Sequence, residues 1–243
     1  MGNRGRVRSA DDRMSREFYA TLLTSLPVLT DAEKKFYIRK PAELKKKLVA
    51  LKRGTTPVSD IVREWEEFWR KYGVEADLSA VVGNTTDRKE LDRAIFVPTE
   101  LGDKPLNRVF EICKAKFPSW RSHEDLDAAI PTNDRDPRNG SYAILCRNRQ
   151  EADEELKSLS AQDLTEQKIS TMTALERVIF ELKWFDETGD HLDKVNVTLC
   201  AGSRSSDGSV PCARWCGSKF YVYASYYDVR NAHPRLRGRQ VVS

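Results

Sequence analysis

Three closely spaced strand signals near the C-terminal end constrain this 243-residue chain most. Residues 195–201, 210–216 and 219–227 alternate their side chains at period two, and GSRSSDGS (202–209) and Gly217-Ser218 separate them. Period-two alternation sends successive side chains to opposite faces of a sheet, and a Gly-Ser pair between strands fits the primed turn of a two-residue hairpin. A β-meander is therefore expected. Phe220, Val222, Ala224 and Tyr226 fall on one face of the last strand, and Tyr221, Tyr223, Ser225 and Tyr227 on the other. On the preceding strands Val195, Val197 and Leu199 separate from Asn196, Thr198 and Cys200, and Trp215 opposes Val210, Cys212, Arg214 and Cys216. Both faces of the Tyr-rich strand are bulky. The expectation is that N-terminal helices cover the second face; the alternative is an open face whose tyrosines stack on bases or sugars.

Helical signals dominate the first third. Thr56 caps a helix over 57–72, with Pro57 in its first turn and Gly73 past its end. Val58, Ile61, Val62, Trp65, Phe68, Trp69 and Tyr72 form one apolar stripe along it. Upstream, Phe18, Leu22, Leu23 and Leu26 recur at helical spacing until Pro27, Thr30-Asp-Ala-Glu33 reads as a capping box, and Pro41 opens a helix that reaches about Arg53 before Gly54. Further along, short strands are predicted over 94–97 and 141–147 and helices over 106–116, 152–159, 161–167 and 171–188. The stretch 120–139 reads as loop with a turn of helix around 124–129. The fold class expected is α+β, with a helical N-terminal layer followed by a mostly antiparallel sheet and packed helices. The divisions expected are a disordered basic tail (1–10), a basic helical region (11–73) and an α+β domain with a C-terminal β-meander (94–243), or one continuous domain.

Charge supplies the functional lead. The chain carries 41 Lys+Arg and 37 Asp+Glu, a net of +4, unevenly spread. Residues 1–56 hold 14 basic and 6 acidic side chains, a net of +8, and the remaining 27 and 31 give −4. Nine cations cluster as Lys34, Lys35, Arg39, Lys40, Lys45, Lys46, Lys47, Lys52 and Arg53, against Glu43. Leu44, Leu48 and Leu51 form a seam that leaves the lysines on the opposite and flanking faces. Such a surface suits phosphates, with affinity that falls as salt rises; equally, it is a solvated face or one paired with the acidic body. No apolar run approaches the ~18 residues of a membrane helix, and the start MGNRGRVRSADD lacks the apolar core of a secretory signal.

The phrases NDRDPRNGSYAI (133–144), TLCAGSRSSDGSVP (198–211) and LRGRQVVS (236–243), together with EADEELKSLSAQDL and ELKWFDETGDHLD, resemble a family of uncharacterised bacterial proteins of similar length. The resemblance implies a bacterial, cytoplasmic protein, and it carries no activity or site residue across.

Features that would carry chemistry are sparse. Five cysteines (113, 146, 200, 212, 216) lack a CxxC pair and read as free thiols. The three histidines have no ligand spacing, so no metal site is expected, and no cofactor is indicated. No phosphate-binding loop, dinucleotide fingerprint, zinc-protease motif or nucleophile elbow is present. Three polar loops, at 133–138, 190–193 and 203–207, could converge at one end of a mixed sheet. Asp134, Asp136, His191 and Asp193 would then surround a divalent cation, and Arg135, Arg138 or Arg204 would clamp a phosphate. These readings lead to a non-enzymatic protein that binds nucleic acid or another polyanion through its basic N-terminal region. One alternative is a metal-dependent phosphoesterase or nuclease-like enzyme, with Asp136, His191 and Arg204 as the residues to test. Another is an assembly subunit that uses the Trp65/Trp69 stripe or the tyrosine face as its interface.

Overall fold

A computed structural model describes residues 60–81 and 91–243. The chain divides into two units, Met1–Pro57 and Val58–Ser243, and every described residue belongs to the second. The basic tail, the helices expected before Pro57, the nine clustered cations and the Thr56-Pro57 cap lie outside the described residues.

The described unit is α+β. Helix α1 (Asp60–Lys71) leads into strand β1 (Arg93–Val97), helix α2 (Pro105–Lys116), strand β2 (Ser119–Arg121), the single turn α3 (Leu126–Ala129), and strands β3 (Thr132–Asn133) and β4 (Tyr142–Cys146). Two helices follow, α4 (Ala161–Glu166) and α5 (Ala174–Thr188), and then β5 (Val197–Leu199), β6 (Ser203–Arg204), β7 (Val210–Cys216), β8 (Lys219–Tyr227) and β9 (Leu236–Arg237). The main sheet has the order β2-β8-β7-β5-β9. Its inner pairings are antiparallel, whereas β2 joins β8 and β9 joins β5 in parallel. Two small antiparallel pairs, β1–β4 and β3–β6, complete the strands.

The predicted meander forms. Cys216 faces Lys219 across Gly217-Ser218, and Gly217 has φ +61°, as a primed turn demands. The first strand is shorter than expected because the Glu151 carboxylate takes the backbone NH groups of Lys194, Val195 and Asn196 before the ladder begins. The 202–209 turn is more than a turn, since Ser203–Arg204 leaves the meander to pair with Thr132–Asn133.

The Trp65/Trp69 stripe is core rather than interface. Both rings are buried, and Trp69 donates its Nε1–H to the carbonyl of Phe96 at 3.2 Å. Helix α5 lies at the centre of the same core. Thr173 caps it through a capping box with Glu176, and Gly189 closes it in the left-handed conformation. It starts three residues later than predicted because the backbone at 171–172 pairs with the C-terminal segment: Met172 N–H donates to Arg239 O, and Thr171 bridges Gln240. The helix expected over 152–159 is a single 3₁₀ turn, Glu154–Leu156. Here the Asp153 carboxylate is taken by Arg147 and by the backbone NH of Gln240, and Asp153 N–H donates to Gly238 O, so the terminal segment claims the groups a helix would use.

Gly202, just past β5, packs directly against this junction. A Cβ there would lie 2.6 Å from the carbonyl oxygen of Thr171. Gly202→Ala is expected to destabilise the unit by about 1–3 kcal/mol, read as a lower urea midpoint at unchanged slope.

Candidate functional site

The two faces of the main sheet differ. Phe220, Val222 and Ala224 of β8 and Ala213 of β7 turn inward and are buried in the central core. Among the described residues the outer face is covered at one end: Val197, Leu199, Val210, Cys212 and Leu236 form a second cluster with Ala161 of α4, to which Tyr223, Tyr227 and Val229 add; the N-terminal helices expected over this face lie outside the described residues. Gln162 N–H donates to Val229 O and ties α4 to the loop after β8.

Beyond that cluster the outer face carries a row of aromatic rings. Trp120 lies opposite Tyr221 in the β2–β8 register, so both point the same way. Trp120 is 5.6 Å from the Tyr221 ring and 5.2 Å from that of Tyr223, and the two tyrosines lie 5.9 Å apart with planes only 11° from parallel. Tyr226 continues the row, 4.8 Å from Tyr223, with Tyr227 edge-on to it at 4.8 Å. Trp120 is 41% exposed and Tyr226 61%, whereas Tyr221, Tyr223 and Tyr227 are half-buried.

Simple alternation assigns Tyr226 to the inner face; the structure places it outside. Cys212 pairs with Tyr223 but Val210 with Tyr227, so β8 spends four residues where β7 spends two. This bulge rotates the strand. Ser205 donates to Ala224 O, and Asp207 accepts from Ser209 and Ser225, so loop groups fill the place of the missing ladder bonds. Those hydroxyls hold the exposed Asp207 carboxyl down to about 2.

Two cations of the hairpin fall on this face, Lys219 at the start of β8 and Arg214 in β7. Arg214 sits opposite Tyr221 in the β7–β8 register, its Nε is buried without a hydrogen-bond partner, and no described carboxylate pairs with it. Burial pushes the Tyr223 and Tyr227 hydroxyls up from their ordinary range, and the Arg214 charge works against that rise.

The residues singled out for catalysis have other partners. Asp136 caps the turn Pro137–Asn139 and holds the Arg138 guanidinium, which keeps its carboxyl below the usual range. Arg204 donates one nitrogen to the carbonyls of Ala201 and Ser203, both at 2.7 Å. His191 is nearly buried, with Nδ1 2.8 Å from Glu181 and its ring stacked 3.4 Å from that of Trp215. No hydrogen bond or ion pair joins any two of the three among the described residues. The pairing of β3 with β6 does bring the loop at 133–138 beside that at 203–207. The loop at 190–193 faces the core instead.

Asp193 anchors the largest buried polar group. Its Oδ1 accepts from Arg239 at 2.7 Å and from the backbone NH of Ala152 at 2.8 Å, and its Oδ2 accepts from Arg177 at 2.9 Å and from Thr198. Arg177 also donates to Glu181 at 2.9 Å. Two arginines thus meet two carboxylates, all fully buried. Nearby, Arg135 makes a two-pronged contact with buried Glu176 and donates to Thr171 O. Such groups are kept inside only when paired and hydrogen-bonded.

The cysteines form no disulfide; four are buried and Cys216 is exposed. Burial lifts the Cys146 and Cys200 thiols to about 12, which leaves them protonated and unreactive at neutral pH. Among the described residues no group of three or more His, Cys, Asp or Glu has the arrangement of a metal site, and no helix is long and apolar enough to cross a membrane.

No family model, curated protein or solved structure matches this chain.

Proposed function

We propose that the chain is a non-enzymatic binding protein for single-stranded nucleic acid, working in the bacterial cytoplasm without base-sequence preference. The observation that carries this reading is the row Trp120, Tyr221, Tyr223 and Tyr226 beside Arg214, a cation no described carboxylate neutralises. Aromatic faces stack on any base, and an adjacent guanidinium meets a phosphate or the base plane. Nine cations between Lys34 and Arg53 add the electrostatic component that phosphate contacts require. The binding reading is favoured over catalysis because Asp136, His191 and Asp193 are engaged by Arg138, Glu181 and two buried arginines.

The test is fluorescence anisotropy with labelled oligothymidine, oligouridine and a DNA duplex, from about 50 to about 200 mM salt. Single strands are expected to bind more tightly than duplex. Affinity should fall with salt at a log–log slope of about −0.7 per phosphate neutralised. Lys45→Glu, Lys46→Glu and Lys47→Glu together should weaken binding and make the slope shallower by about 2, if each lysine meets one phosphate. Equal affinity for duplex and single strand removes the stacking argument, and unchanged binding by the triple variant removes any part of the basic region in binding.

A further inference from the structure

Between the end of α4 and the β3–β6 pair lies a second recess, unconnected with the aromatic row. It has a volume of about 420 Å³, and its polar lining includes Thr132, Asp134, Thr165, Lys168, Ser170 and Arg204. Two cations and one carboxylate therefore face the same space, and none of the three is in an ion pair with a described residue. Arg204 is fixed by its bonds to Ala201 O and Ser203 O, which leaves the rest of its guanidinium free. Ser170 is held at its hydroxyl by Arg135 at 3.1 Å. The close approach of Gly202 to Thr171 brings two walls together.

Lys168 supplies an independent sign. It has φ +56°, one of three non-glycine residues with positive φ among the described residues. It occupies the position just past α4, where Lys168 N–H donates to Thr165 O and Ile169 N–H to Leu164 O. That double bond pattern ends a helix on a left-handed residue, and glycine is the residue that adopts it without strain. A lysine retained there carries a conformational penalty, and strain of this kind concentrates where a side chain has work to do. The exposed Lys168 side chain lines the recess and has no hydrogen bond to another described residue.

We infer that this recess binds the phosphate group of a small phosphorylated metabolite. Lys168 and Arg204 neutralise a dianion, and the hydroxyls of Thr132 and Ser170 donate to its remaining oxygens, whereas the Thr165 hydroxyl already donates to Ala161 O. Asp134 stands on the same lining as an acceptor for a hydroxyl or ammonium group on the rest of the ligand. The room exceeds what a bare phosphate fills, so the ligand has a polar body as well as an anionic head.

The full chain is titrated with inorganic phosphate, with acetate as the singly charged comparison, and backbone amide resonances are followed by NMR. Phosphate is expected to shift amides at 132–134, 165–171 and 201–204 in a saturable way, at least about tenfold more tightly than acetate. Arg204→Gln should weaken phosphate binding about tenfold. Lys168→Gly should weaken it similarly while raising Tm by about 2–4 °C, because glycine relieves the left-handed strain. That opposite movement of binding and stability distinguishes a binding lysine from one that merely ends a helix. Absence of saturable shifts in the wild-type chain overturns the inference, as does a Lys168→Gly chain that is more stable and binds phosphate unchanged. Tyr221→Ala with Tyr223→Ala should leave phosphate binding intact, so this recess and the aromatic row fail or succeed separately.

Discussion

Asp193→Asn is expected to cost about 3–5 kcal/mol of folding stability, enough to leave much of the chain unfolded at moderate temperature. The side chain keeps its shape and loses its charge. Arg177 then keeps Glu181 as its remaining carboxylate, and Arg239 is left with none. Desolvating a cation without its partner is what makes this expensive, and the van der Waals contacts hardly change. Urea unfolding monitored by tryptophan fluorescence gives the number; a loss under about 1 kcal/mol would mean that water or rearrangement rescues the arginines. The same group predicts acid behaviour. Burial opposes ionisation of Asp193, but Arg239 and Arg177 outweigh it, and its carboxyl titrates below the usual range. A depressed folded value means that the stabilisation is fully present above the unfolded value near 4 and disappears as pH falls through the folded one. Wild-type stability should therefore decline with acidification below about pH 4, and the Asn variant should show a flatter profile there.

Tyr221→Ala combined with Tyr223→Ala is expected to weaken single-strand binding by about 2–6 kcal/mol, on the basis of about 1–3 kcal/mol per stacked base. That is a loss of at least about 30-fold. The rings are nearly parallel and 5.9 Å apart, so successive bases can meet successive tyrosines. Phosphate contacts remain, and the salt slope should stay the same while affinity drops. This separates the double variant from charge reversal at Lys45–Lys47, which moves both. The fold should be kept, because Phe220, Val222 and Ala224 on the opposite face hold β8 to the core, although the loss of Tyr223 from the second cluster lowers stability. Affinity within threefold of wild type would reject the aromatic row as a platform.

Local pattern carried far in this chain. Strand β8, the Gly217-Ser218 turn and the Trp65/Trp69 helix all follow from spacing, because each depends on neighbours within a few residues. Strands β2 and β9, of three and two residues, are too short to leave a period, and partners far along the chain stabilise them. The start of α5 was readable, since Thr173-Ala-Leu-Glu176 has the capping-box form; the apolar stripe alone led to a start three residues too early. The tyrosines were visible as a row, but the exposure of Tyr226 was not, because it comes from a bulge that the loop hydroxyls around Asp207 hold open. Nothing local marks Lys168 as left-handed. His191 and Asp193 look catalytic in a one-dimensional reading because His and Asp are the residues of acid–base chemistry. Their partners Glu181, Arg177 and Arg239 lie 10, 16 and 46 positions away.

That last separation sets the order of events during synthesis. The ribosome adds about 5–20 residues per second, so Asp193 waits about 2–9 s for Arg239 to be made. The Arg147 guanidinium waits longer still for Gln240, 93 positions downstream. Until then the helix that carries Arg177 and the strands around it have no balanced interior to close upon. The nascent unit is thus expected to stay protease-sensitive until residues 236–242 have left the ribosome, then fold in one step as that segment slots between Thr171, Leu145 and β5.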